Sequence, residues 1–158
     1  MKTATINELK KELLEVPHAQ LVELCVRLSK YKKENKELLT FLLFEAHDPE
    51  QYIVSVKALM DEEFSNLSTA GLYFVKKNLR KILRITNKYI RYSGSKPAEI
   101  ELLLYFCRKV KTSGIRMRDS VAITSMYAQQ LKKAGKLIDA QHEDLQYDYR
   151  RELEKLSA

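Results

Sequence analysis

Glycine and proline are scarce in this chain, 4 and 3 in 158 residues. So few breakers exclude a fold of many tight turns, and with it most β-sandwiches and barrels; long helices are what such a composition permits. Tryptophan is absent, and cysteine occurs twice, at Cys25 and Cys107, with neither metal-binding nor redox spacing. Cys25 lies beside Leu24 and Leu28, and Cys107 follows Leu103, Leu104 and Phe106, a setting that predicts two buried free thiols. Long apolar runs are missing too. Phe41 to Phe44 is short, and Ile100 to Cys107 is interrupted by Glu101, so nothing approaches the ~20 residues that span a bilayer. Met1 to Thr5 leads straight into an amphipathic pattern without an apolar signal core, so the expectation is a cytoplasmic protein with no membrane partner.

Acidic residues are nearly missing from the middle of the chain. Residues 64–136 hold 16 Lys+Arg against Glu99, Glu101 and Asp119, whereas residues 1–63 have 9 basic and 12 acidic side chains and residues 137–158 have 3 and 6. The overall charge of +7 hides this division. A basic field between acidic ends attracts a polyanion, an acidic protein surface or a second copy of the chain.

What is present is helical periodicity. A balance of 45% hydrophobic and 31% charged residues is that of a globular protein, and the length suggests one domain over residues 1–158. Eight helices are expected. The first runs from about Ile6 to Glu15, with Thr5 and Glu8 as a capping box and a stripe of Ile6, Leu9, Leu13 and Val16. Pro17 opens the second, which shows Leu21, Leu24, Cys25 and Leu28. The third, about Lys36 to Ala46, is apolar on nearly every side and so calls for cover by neighbours. Asp48 and Pro49 start the fourth, with Tyr52, Ile53, Val56, Leu59, Met60, Phe64 and Leu67 facing inward. The fifth spans about Thr69 to Tyr92 and ends at Gly94. The sixth, from Ser95-Lys96-Pro97 to Ser113-Gly114, is apolar enough to form the centre of the core. The seventh, about Asp119 to Ala134, carries small residues (Ala122, Ser125, Ala128) suited to close approach, with Gly135 interrupting or ending it. The eighth, about Asp139 to Leu156, would bury Leu145, Tyr149, Leu153 and Leu156. No segment alternates like a strand. The fold class is therefore all-α: helix hairpins stacked as an α-α superhelix of the HEAT or armadillo kind, or else a closed bundle.

The fifth helix holds the one arrangement with functional character. Lys77, Lys81, Arg84, Lys88 and Arg91 follow at spacings of 4, 3, 4 and 3, inside a strip about 80° wide and roughly 21 Å long. Arg80 borders the strip, and no acid occurs between Phe64 and Ala98. Such a ridge can track phosphates with salt-dependent affinity. It can equally be a solvated face whose long stems cover apolar neighbours, or meet the acidic segments around Asp61-Glu62-Glu63 and Glu143-Asp144, in the same molecule or in another copy. Arg108, Lys109, Lys111, Arg116 and Arg118 would extend the field. Tyr73 and Tyr92 can stack on bases or finish the core edge.

Chemistry is thin elsewhere. His18, His47 and His142 have no helical metal spacing, and no phosphate loop or nucleophile elbow occurs. Acids beside His142 in a first turn are expected from the helix dipole alone. No catalytic residue, metal or cofactor is predicted; only dispersed carboxylates converging between helices would give an enzyme.

The segments Ile6-Asn7-Glu8-Leu9-Lys10-Lys11-Glu12-Leu13, Leu21-Val22-Glu23-Leu24 and Lys33-Glu34-Asn35-Lys36-Glu37-Leu38-Leu39 resemble a family of small bacterial all-helical proteins over the first third of the chain. That resemblance implies a bacterial cytoplasmic origin and no particular chemistry. Leu9 to Leu28 is also similar to the two-helix SAP DNA-binding module, but the glycine-containing linker is replaced by Pro17, and no residue role carries over. The expectation is a non-enzymatic helical interaction module that binds a protein partner or itself, with nucleic-acid binding through the ridge as the alternative.

Overall fold

The computed structural model describes residues 1–68 and 70–158, and among them the chain is helical with no strand. Its contacts divide it into two compact units, Met1–Phe44 and Glu45–Ala158.

The first unit contains α1 (Ile6–Glu15), α2 (His18–Tyr31) and α3 (Lys33–Thr40), and a π-helical turn, Phe41–Glu45, follows α3. Thr5 caps α1 as its sequence predicts: its hydroxyl accepts from the Glu8 amide at 3.3 Å, and the Glu8 carboxylate accepts from the Thr5 amide at 2.7 Å. Helices α2 and α3 pack on each other. The Asn35 side chain pins the joint by donating to the Leu28 carbonyl at 2.8 Å. None of these three helices contains a buried residue. The cover expected for the apolar third helix is missing: Leu38, Leu42, Leu43 and Phe44 are exposed, and in that stretch only Phe41 is buried.

The second unit contains α4 (Pro49–Ser65), α5 (Leu72–Ser93), α6 (Lys96–Thr112), α7 (Val121–Asp139) and α8 (Glu143–Ser157), with a 3-10 turn at Met117–Asp119. Local chemistry sets the ends. Asp48, Ser95 and Ser120 accept from the amides of Gln51, Ala98 and Ile123, and Gly94 takes the left-handed conformation, φ 60°, that closes α5. The residue expected to start that helix, Thr69, lies outside the described residues.

Helix α6 forms the centre. It packs against α4, α5, α7 and α8, and Ile100, Leu102, Leu103, Leu104, Phe106, Cys107 and Val110 on it are all essentially inaccessible. The other pairings are α4 with α5 and α7 with α8. Around α6 lie Val56 and Met60 of α4, Leu79 and Ile82 of α5, and Ile123, Ala134 and Ile138 of α7. Burying a large aliphatic or aromatic side chain contributes about 1.5–3 kcal/mol, so this cluster carries the stability of the unit.

Three expectations need correction. Gly135 does not end α7, which continues to Asp139; an added Cβ there would stand 3.4 Å from a Leu153 methyl, so the glycine marks the approach of α7 to α8. The small residues Ala122, Ser125 and Ala128 face outward, while Ile123, Gln130, Ala134 and Ile138 form the buried face. Leu59 and Leu145 are also exposed. A 3.6-residue stripe fixes the buried direction only to within one flanking position.

Candidate interaction surfaces

Helix α5 runs unbroken for 22 residues, so the cationic row stands on one rigid rod. Val75, Leu79, Ile82, Thr86 and Ile90 form its buried side. Lys77, Lys81, Arg84 and Arg91 are exposed, and Lys88 is half-buried with its ammonium 5.0 Å from the Tyr89 ring centre. The row is not wholly unmatched, as the sequence suggested. Glu63 of α4 holds the Lys81 ammonium at 2.7 Å, so one of the two acidic segments that the sequence offered as partners, Asp61-Glu62-Glu63, does meet the row within the molecule, at this one cation. Lys77, Arg80, Arg84 and Arg91 have no carboxylate partner among the described residues.

The open charge gathers at the N-terminal half of α5. A shallow depression of about 540 Å³ is lined by Tyr73, Lys76, Lys77, Arg80, Lys81 and Arg84, together with Asn78, and no acid among the described residues lines it. Tyr73 lies within the same angular strip as the row, one turn before Lys77. Its ring is 65% exposed and sits edge-on to exposed Phe74 at 5.4 Å, and the Lys76 ammonium lies 5.8 Å from its centre. Tyr92, at the far end, is half-buried and packs edge-on to Tyr89 at 5.9 Å.

The cations expected to extend the field are mostly consumed inside the molecule. Arg108 pairs with Glu152, Lys109 with Asp61 at 2.9 Å and Arg116 with Asp119 at 3.3 Å. Lys111 donates to the Lys155 carbonyl at 2.7 Å, near the end of α8. The acidic residues are spent in the same way. Asp61 accepts from the Tyr105 hydroxyl at 2.7 Å; burial raises its affinity for a proton, but the bonds from Lys109 and Tyr105 outweigh this and hold the carboxyl below its usual range. Glu99 stands between Lys133 at 2.8 Å and Lys96 at 3.2 Å and is lowered against the same opposition. Glu101 pairs with Lys57 at 3.1 Å. These carboxylates join helices and do not converge on a pocket. Among the described residues no group of three His, Cys, Asp or Glu is placed to hold a metal, and His142 serves as the cap of α8 through the Asp144 amide.

A second surface, missed by the sequence reading, lies on the first unit. Leu28, Leu38, Leu39 and Leu42, with Cys25, Ser29 and Asn35, line a shallow and mostly apolar groove of about 280 Å³. Cys25 is exposed here, contrary to the burial expected from its leucine neighbours, whereas Cys107 is buried; both are free thiols. Leu9 and Leu13 on α1 are also exposed, and Ile6 is 80% so. The amphipathic pattern was readable, but nothing in it says whether a face will find a cover.

No helix among the described residues is long and apolar enough to cross a membrane. Comparison with protein-family models, curated proteins and solved structures finds no match for this chain.

Proposed function

We propose that this protein is a non-enzymatic interaction module whose N-terminal helices bind another protein surface, and that the occupant is a second copy of the chain. One observation carries this: α1, α2 and α3 contain no buried residue although each has an apolar face. Contiguous exposed apolar surface on a folded chain marks an interaction site. Self-association is favoured because the chain carries both halves of a contact. The groove between α2 and α3 is open, and α1 presents an exposed stripe of Ile6, Leu9 and Leu13 of the kind that lies in such a groove. Residues 1–44 carry 8 basic and 6 acidic side chains, so charge repulsion between copies of this unit is small.

Replacing Leu28 and Leu42 with Glu tests the proposal. Both are exposed, so the substitutions spare the fold while placing charge in the groove. The wild-type chain should associate reversibly in sedimentation experiments and the double variant should not, with helicity by circular dichroism equal in both.

A further inference from the structure

The cationic depression on α5 is far from neutral and is not explained by association through α1–α3. We propose that it is a binding site for single-stranded nucleic acid, with Lys76, Lys77, Arg80 and Arg84 on phosphates and Tyr73 stacked on a base. Three features point to this ligand. Among the described residues the lining is cationic without an acid, and of its five cations only Lys81 is paired to a carboxylate, Glu63. The cations lie along about 12 Å of one unbroken helix from Lys76 to Arg84, a linear array suited to a backbone of repeated charge. Two exposed aromatic rings, Tyr73 and Phe74, stand at one end of it. A duplex hides the faces of its bases, so an exposed ring beside a phosphate track has a partner only on an unpaired strand. An acidic protein surface would satisfy the cations as well, but a row of cations ending in an exposed ring matches the alternation of phosphate and base along a strand. The Lys76 contact over Tyr73 is weak at so exposed a site, which lets the base take that face while the ammonium turns to a phosphate.

Binding of the full chain to labelled oligo(dT), oligo(U) and a duplex of equal length, measured by fluorescence anisotropy across a salt series, tests this. The two oligonucleotides separate DNA from RNA as the source of the strand. With four phosphates neutralised, log K should fall against log salt with a slope of about −3. Lys77→Gln with Arg80→Gln should weaken binding and make the slope shallower by about 1.4, since each lost contact removes about 0.7. Tyr73→Ala should weaken binding by roughly fivefold or more with the slope unchanged, because stacking releases no counterions. Lys132→Gln, an exposed cation on α7, should change neither. The proposal is overturned if the duplex binds as tightly as the single strands, if Tyr73→Ala is silent, or if no salt-sensitive binding occurs. Leu28→Glu with Leu42→Glu should leave strand binding intact, which keeps this test separate from that of self-association.

Discussion

Glu99 sits 8% exposed at the start of α6 and is held by one lysine of its own helix and one of α7. The folded state lowers its pKa, so it stabilises the fold above the pKa of the unfolded chain, and the contribution disappears as pH falls through the lower folded value. Glu99→Gln should therefore cost about 1–2 kcal/mol at neutral pH, and urea denaturation should show the gap closing in acid. The two thiols make a second residue-scale prediction. Burial pushes the Cys107 thiol up to about 12, whereas Cys25 is in contact with solvent. At concentrations low enough to keep the chain monomeric, a disulfide-exchange reagent should titrate one thiol per native chain, the one at Cys25, and both after denaturation. Two fast native thiols would contradict the packing described for α6. Sequence context could not separate these cysteines, because an apolar neighbourhood along a helix looks the same whether or not another helix covers it.

Most helix ends were legible because their chemistry is local: Thr5 with Glu8, Asp48 with Pro49, Ser95 before Lys96-Pro97, Gly94 after α5. So was the central role of α6, whose apolar residues point in more directions than one neighbour can cover. Gly135 misled for a physical reason. Glycine usually stops a helix by taking a left-handed conformation, but here it continues one and lies against Leu153 of α8. Since the added methyl would meet that side chain at ordinary contact distance, Gly135→Ala should stabilise the protein by about 0.5–1 kcal/mol through helix propensity and the unfolded chain's lost freedom. The readout is a higher urea midpoint at unchanged m-value; a lower midpoint would show that α7 and α8 approach more closely than described. The ridge on α5 was also visible as a spacing pattern. Its pairing was legible only as one of several alternatives, because which cation Glu63 reaches from α4, Lys81, depends on how the two helices pack.

At the scale of the molecule, the two units invest their apolar residues differently. Glu45–Ala158 closes a core around α6, while Met1–Phe44 leaves most of its leucines exposed. The charge division seen in the sequence belongs to a different feature: the surplus cations stand in the second unit, and part of them hold helices together through Asp61, Glu99, Glu101 and Glu152. Net charge alone therefore overstates the free field; the N-terminal half of α5 keeps cations and exposed rings together, with no lining acid among the described residues. The apolar groove between α2 and α3 is the surface on which the proposed function rests. Sedimentation equilibrium over a range of protein concentrations tests it most directly. The account predicts a wild-type mass that rises reversibly with concentration, and a monomer at every concentration for Leu28→Glu with Leu42→Glu. A wild-type chain that stays monomeric throughout, or a double variant that associates as strongly as the wild type, would contradict it.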